Sequence, residues 1–341
     1  MRIYRQGDAG PEITDIQQRL AELGFLTSND ESGVFGPVTE SSVRTFQQLR
    51  SLRVDGLVGP DTWGQLLEAG YRLGDRTLYL HAPLLRGDDV RALQRKLDAL
   101  GFDAGKQDGF YGPATEGAVR EFQRNVGEHV DGVVGLHTIA SIERMRPLED
   151  VPGRGLVRET EELRSFQGRI HGRVITIDPG DEGIPDAAVQ RALASALAAE
   201  LRRLGAAPHV LDVESADTTP SMRATMANDL SAAICVSLHL GGGVPESSGP
   251  TCSYFGSHAT YSPAGRHLAE LILTELEQEL HVRGRLERLS VALLRETRMP
   301  AVQVEALVAT NEVEAAILRA PDAISRIGQA MAEGVRRFFE D

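Results

Sequence analysis

The sequence predicts a multidomain chain, two small three-helix (all-α) repeats followed by an α/β domain with a mainly parallel sheet. Three observations carry this. At 341 residues the chain is long enough for two to three domains of roughly 150 residues. Its first 145 residues contain an internal duplication, the signature of a repeated module. From Arg173 onward, β-branched runs alternate with helix-period stretches, as in a βα-type sheet.

Composition narrows the function classes. Hydrophobic residues make up 41% and charged residues 25%, the balance of a folded globular protein rather than a disordered one. The formal net charge of −13, from 36 Lys+Arg against 49 Asp+Glu, leaves no basic footprint for nucleic acid or anionic lipid. The start, MRIYRQGDAG, lacks an apolar signal core, and no stretch approaches the roughly 18 apolar residues of a spanning helix. The expected location is therefore cytoplasmic, without a membrane span. Cys235 and Cys252 form no ligand spacing and are expected to be small core hydrophobes.

The elements of the duplicated half follow in order. IQQRLAELGF (16–25) returns as LQRKLDALGF (93–102), FGPVTESSVRTFQ (35–47) as YGPATEGAVREFQ (111–123), and VDGLVGPDTW (54–63) as VDGVVGLHTI (130–139). Ile16, Leu20 and Leu23, like Leu93, Leu97 and Leu100, mark one buried stripe of a first helix, stopped by Gly24 or Gly101. Pro37 or Pro113 opens the second, whose apolar face is Val43/Phe46 or Val119/Phe122. The third follows the turn at Asp55-Gly56 or Asp131-Gly132, with Gly59 or Gly135 ahead of Thr62 or Thr138. The boundaries read as 1–70 and 80–145 for the repeats, 146–172 for a charged, Pro/Gly-containing linker with one short helix in LVRETEELRSF, and 173–341 for the α/β domain.

The shared pattern GDxVxxLQxxLxxLGF, DGxFGPxTxxAVxxFQ and VDGxVGxxT resembles the peptidoglycan-binding domain type 1 family. That resemblance implies a cell-wall glycopeptide, a muropeptide or peptidoglycan, as ligand. Most of the motif residues are themselves turn glycines and core apolars, which a fold needs whatever it binds.

In the α/β half, strands are expected at VITID (174–178), PHVLDV (208–213), AAICVSLHL (232–240), TCSYFG (251–256), SVALL (290–294) and AVQVEAL (301–307). Helices are expected at 187–205, 221–230, 264–280 and 321–339. Functional groups in such sheets gather beyond the carboxyl ends of strands. Asp181 follows the first strand, Asp186 opens the next helix, His239 closes SLHL, and Glu305 lies inside VQVEAL. Asp186 also reads as a first-turn acid, Asp181 as a turn residue, and His239 as scaffold. Glu305 is different, because a carboxylate among Val302, Val304 and Leu307 costs several kcal/mol (~2–7) if buried and unpaired.

VITIDPGDEG, VSLHLGGG, YFG…GRHLAELI and LLRETRMPAVQVEALVATN resemble the N-acetylmuramoyl-L-alanine amidase type 3 family over about 173–339. The resemblance implies an α/β sandwich around a six-stranded sheet and zinc-dependent cleavage of the amide between N-acetylmuramic acid and L-alanine. The family motif supplies a His in DPGHGG, a Glu opening the next helix, a second His in SxHxN, and a Glu in VExGFxSN as general base. This sequence carries Asp181, Asp186, His239 and Glu305 at those four positions, and the asparagine of SxHxN gives way to Gly241-Gly242-Gly243.

Two of three metal ligands are thus changed. Asp181 offers oxygen and charge where the family has imidazole, and that charge weakens the acidification of a metal-bound water. Asp186 is one methylene shorter than Glu, so the backbone would need to move inward by about an ångström, a misplacement on the scale that costs about a hundredfold in rate. A pseudo-amidase with two such modules and no export signal is similar to the actinobacterial CwlM-like branch. That likeness implies a cytoplasmic regulator of peptidoglycan precursor synthesis acting on the enolpyruvyl transferase MurA under Ser/Thr-kinase control. The expectation is a non-catalytic regulator without a cofactor. The alternative is a metalloamidase using Asp181, Asp186 and His239 as ligands of zinc and Glu305 as base, then acid.

Overall fold

The computed structural model describes residues 3–145, 160–161, 168–180, 187–213, 218–241, 248–257, 260–308, 311, 314, 317 and 322–340. They form two compact units, Met1–Arg50 with Gly56–Glu161, and Ser51–Asp55 with Glu162–Asp341. The expected linker falls mostly on residues outside those described.

The first unit holds the duplicated helices α1 (Pro11–Glu22), α2 (Pro37–Leu49), α3 (Pro60–Glu68), α4 (Asp88–Ala99), α5 (Pro113–Val126) and α6 (Leu136–Arg144). Proline begins four of them, including the expected Pro37 and Pro113, because its fixed φ suits a first turn whose N–H has no partner to lose. Gly24 and Gly101 take left-handed φ of +88° and +89°. Around them Phe25 N–H donates to Leu20 O and Phe102 N–H to Leu97 O, each 2.9 Å, the six-to-one bond of a Schellman stop. The phenyl rings then meet α2 and α5 edge-on, Phe25 on Phe46 at 5.8 Å and Phe102 on Phe122 at 5.5 Å.

Four buried glutamines tie each repeat's turns to its helices. Gln17 Nε2 donates to Val34 O and Thr39 Oγ1 while its Oε1 accepts from Gly33 N–H. Gln94 does the same with Phe110 O, Thr115 Oγ1 and Gly109 N–H. Gln47 and Gln123 repeat the clamp on the turns at Gly56 and Gly132. An amide suits this because it offers donors and an acceptor together. The Gln in each motif is thus a turn fastener, satisfying loop backbone groups that burial would otherwise leave unpaired.

The second unit is built on β1 (Val174–Asp178), α7 (Ala187–Arg203), β2 (Ala207–Val210), α8 (Pro220–Asp229), β3 (Ile234–Gly241), β4 (Thr251–Phe255), α9 (Pro263–Leu280), β5 (Arg285–Leu289), α10 (Ala292–Glu296), β6 (Ala301–Val308) and α11 (Ala323–Glu340). Its six-stranded sheet runs β2-β1-β3-β6-β4-β5. The first four strands are mutually parallel, while β4 runs antiparallel to β6 and parallel to β5. The expected mainly parallel α/β sheet is thus the one formed.

One strand lies elsewhere than expected. SVALL is not a strand, because Val291, Leu293 and Leu294 are buried where α10 begins. The strand is β5, Arg285–Leu289, whose charged residues face out. An edge strand buries little and tolerates charge, so its sequence lacks the apolar run that marks an interior strand. β2 also ends at Val210, short of the expected Val213.

Period-two alternation gives the sheet two chemically different faces. Ile175, Ile177, Val236, Leu238, Val302 and Val304 share one core with helices α7, α9 and α11. Gly334 permits that packing, since a Cβ there would lie 2.6 Å from Ile272 Cα. The opposite face begins apolar at Cys235 and Ala301 under α8 and α10 and turns polar toward the carboxyl ends, at Asp178, Ser237, His239, Gln303 and Glu305. Both cysteines are buried thiols, as expected, and burial pushes the Cys252 thiol well above its ordinary pKa, with Glu277 adding to the effect.

Candidate functional site

The polar end of that second face is the candidate site. β1 ends in Asp178, and a tight turn follows at Pro179-Gly180. Gly180 has φ of +84°, and a Cβ there would lie 2.2 Å from Leu238 O, so only glycine lets the turn lie against β3. Its N–H donates back to Asp178 Oδ1 at 3.2 Å.

Asp178 is fully buried. Arg223 of α8, itself buried, donates through Nη1 to Oδ1 at 3.1 Å and Oδ2 at 3.3 Å. The Ser237 hydroxyl donates to Oδ2 at 2.6 Å, and the same oxygen stands 3.0 Å from His239 Nε2. Ser237 has one hydrogen, and the carboxylate takes it. His239 Nε2 must then carry the proton and donate to Ser237, since the serine oxygen is left as acceptor. A chain Arg223–Asp178–Ser237–His239 thus sets the imidazole's tautomer.

Glu305 of β6 is the register partner of His239 on β3, so the two side chains project side by side from one face. Its side chain is 15% exposed and its Oε1 accepts from the Arg53 guanidinium. That answers the cost of a carboxylate in an apolar strand. Beyond it, buried Glu314 accepts from Gly249 N–H at 2.6 Å and Val308 N–H at 2.7 Å, pinning the end of β6 to the segment entering β4.

The structure therefore brings together two of the four expected residues, His239 and Glu305. Asp181, Asp186, Gly242 and Gly243 lie outside the described residues. The sequence reading missed Asp178, Ser237, Arg223, Arg53 and Glu314. Asp178 carried the signal already noticed at Glu305, an acid inside an apolar run. Ser237 was findable as the residue two before His239 on the same face. Arg223 and Arg53 carried none, being 45 and 252 positions from the acids they meet.

Of the three expected zinc ligands, His239 is the one among the described residues. With Nε2 donating to Ser237, the lone pair of its neutral imidazole lies on Nδ1, the nitrogen through which a metal would be held. Among the described residues no group of three or more His, Cys, Asp or Glu could hold a metal ion. The same residues include no helix long and apolar enough to cross a membrane.

Comparison with known proteins agrees with this architecture. The N-acetylmuramoyl-L-alanine amidase family matches residues 171–337, and the peptidoglycan binding domain family matches 9–66 and 86–142. The N-acetylmuramoyl-L-alanine amidase CwlM of Mycobacterium tuberculosis is 33% identical over 362 aligned positions, covering 98% of this chain and 89% of that protein. The N-acetylmuramoyl-L-alanine amidase CwlL of Bacillus licheniformis is 32% identical across 42% of this chain, which spans 46% of that relative's length. Among solved structures, the amidase Ami1 of Mycobacterium smegmatis superposes with a TM-score of 0.45 at 21% identity, covering 50% of this chain and 98% of that one. On the likeness to CwlM over almost its whole length, the chain belongs to the N-acetylmuramoyl-L-alanine amidase family, and it carries two peptidoglycan binding domains ahead of the amidase region.

Proposed function

We propose that the chain is a pseudo-amidase, a cytoplasmic, non-catalytic regulator of peptidoglycan precursor synthesis that works by protein–protein contact. The enolpyruvyl transferase MurA is the candidate partner and a Ser/Thr kinase the candidate controller. One observation carries the non-catalytic reading: the retained Glu305, at the family's general-base position, is engaged by the Arg53 guanidinium. A general base must reach the proton it takes, and a carboxylate held by a guanidinium is a poorer acceptor. The replacement of two family ligands by Asp181 and Asp186 supports the same reading, and the likeness to CwlM supports a role in peptidoglycan metabolism. The two repeats supply the surface for a muropeptide or peptidoglycan ligand.

The test has two arms. Purified chain added to MurA should change the rate of phosphate release and co-elute with it, and no change together with no co-elution refutes the partner. Muropeptides incubated with the chain should release no L-alanyl peptide. A second reading, the metal-dependent amidase with Asp181, Asp186 and His239 as ligands and Glu305 as base, is favoured by the in-register placement of His239 and Glu305 on adjacent strands. About one metal per chain, lost in His239→Ala, with L-alanyl peptide release lost in Glu305→Ala, would establish it instead.

A further inference from the structure

We infer that the second repeat holds a site that the first lacks, a cleft whose buried Glu128 carboxylate takes the free side-chain ammonium of a peptidoglycan stem peptide. The inference rests on the reading that the repeats bind a muropeptide, and it names the group recognised and the repeat that recognises it.

Glu128 lines a cleft of about 590 Å³ together with Val126, Asp131, Val133, His137 and Arg144, all within the second repeat. Its side chain is 8% exposed. Oε2 accepts from the Thr138 hydroxyl at 2.9 Å, while Oε1 is buried and accepts no hydrogen bond among the described residues. His137 Nε2 stands 3.6 Å from that oxygen, beyond hydrogen-bond reach, and its side chain is 81% exposed, so it is free to swing aside. A buried carboxylate oxygen without a donor costs free energy until something supplies one. A ligand ammonium brings a charge and three donors at once.

The two copies show that the fold does not require this acid. With VDGLVG (54–59) aligned on VDGVVG (130–135), Leu52 matches Glu128, Asp61 matches His137 and Glu68 matches Arg144. Leu52 is buried. The Thr62 hydroxyl accepts from Gln47 Nε2, whereas its counterpart Thr138 turns to donate to Glu128. The second copy thus has a half-satisfied acid where the first has a buried leucine, a loss of stability that a bound donor offsets. Size and lining fit a short peptide. The volume lies within the range of about 300–1,000 Å³ usual for small-ligand sites. Val126 and Val133 offer apolar contact to a carbon chain, and Arg144 offers a guanidinium to carboxylates. A stem peptide ending in a diamino acid carries ammonium, carbon chain and carboxylate on one small molecule.

Titration calorimetry on the full chain tests this with N-acetylmuramyl-L-alanyl-D-glutamyl-L-lysine, whose one ammonium is the lysine side chain's. Acetylating that amine should weaken binding roughly ten- to hundredfold, the scale of a charge-assisted hydrogen bond. Glu128→Leu, which copies the first repeat, should cause a similar loss, and acetylation should add little to it. Glu128→Gln, isosteric with the native side chain, should lose about tenfold and keeps the test open if the leucine variant fails to fold, which amide NMR spectra check. Nα-acetyl-lysine amide has the same ammonium without the muramyl and peptide parts and should bind at least about tenfold more weakly. Equal binding of that amide would point to a protein's lysine and overturn the assignment, as would full-strength binding of the acetylated tripeptide or by both Glu128 variants. If the chain sediments with insoluble peptidoglycan yet binds no tripeptide, or binds it without regard to Glu128, this site alone fails. If it neither sediments nor binds the tripeptide, the muropeptide reading itself fails.

Discussion

Replacing Arg223 with Met should be among the most damaging single changes in the second unit. Asp178 has no solvent exposure and the Arg223 side chain has 3%, so screening by water does little to soften the loss. Removing one member of a buried pair leaves an uncompensated charge and costs about 3–5 kcal/mol. Asp178 would keep two donors, Gly180 N–H and Ser237 Oγ–H, which places the expectation toward the lower end, about 3 kcal/mol. For a unit of this size, each kcal/mol moves the midpoint by about 2–4 °C, so the expected fall in Tm is about 6–12 °C. Calorimetry is the suitable assay, because the single tryptophan, Trp63, belongs to the first unit and its fluorescence would miss the transition. The companion variant Arg223→Met with Asp178→Leu removes both charges and should recover much of the loss, leaving only Ser237 and Gly180 short of an acceptor. A single-variant shift below about 2 °C, or a double variant worse than the single, would refute the claim that this pair is a buried, mutually dependent one.

In the unaltered chain, nitrogen NMR should find the His239 proton on Nε2, and Ser237→Ala should shift it toward the other tautomer; a proton on Nδ1 at the outset would break the inferred chain from Asp178. In the first repeat, burial alone would raise the Asp30 carboxyl, but hydrogen bonds from Thr39, Val38 and Gly36 outweigh it and hold the pKa below its ordinary 3.8. In the second repeat, bonds from Val133 N–H and Gln123, against partial burial, lower Asp131 too. Depressed carboxylates stabilise the fold above 3.8 and lose that contribution as pH falls through their lower folded values, so Trp63 melting should drop below about pH 4 and Asp30→Asn should flatten that drop. Gln94→Leu leaves Gly109 N–H buried without an acceptor and should cost about 1–3 kcal/mol, read by urea unfolding; a cost below about 0.5 kcal/mol would dismiss the clamp. Cys252 should resist thiol reagents until the second unit unfolds, since its thiol is buried with a raised pKa.

Local signals explain why so much of the helical half was legible. Glycine after a helix, proline at its start and a stripe of apolar residues act over four or five positions, and repetition in a second copy removes coincidence. The glutamine clamps escaped notice because their hydrogen bonds go to turns up to 17 residues distant, and a polar residue on a helix reads as solvated until its burial is known. The same contrast governs the sheet. Interior strands β1, β3 and β6 announced themselves by continuous apolar runs, while edge strand β5 did not, and the apolar SVALL that stood in for it is buried partly as helix α10.

The sequence by itself determined the duplicated three-helix modules, the mainly parallel α/β sheet and the amidase relationship. Each of these rests on residue identity and short-range periodicity, which do not depend on how distant segments meet. Only the tertiary structure decided what His239 and Glu305 are doing. His239 receives its tautomer from Asp178 through Ser237, and Glu305 receives its counter-charge from Arg53. The chemistry of a titratable side chain is set by the few atoms within about 3–4 Å of it, and here those atoms arrive from other elements, 59 residues away for Ser237 and Asp178 and 252 for Arg53 and Glu305.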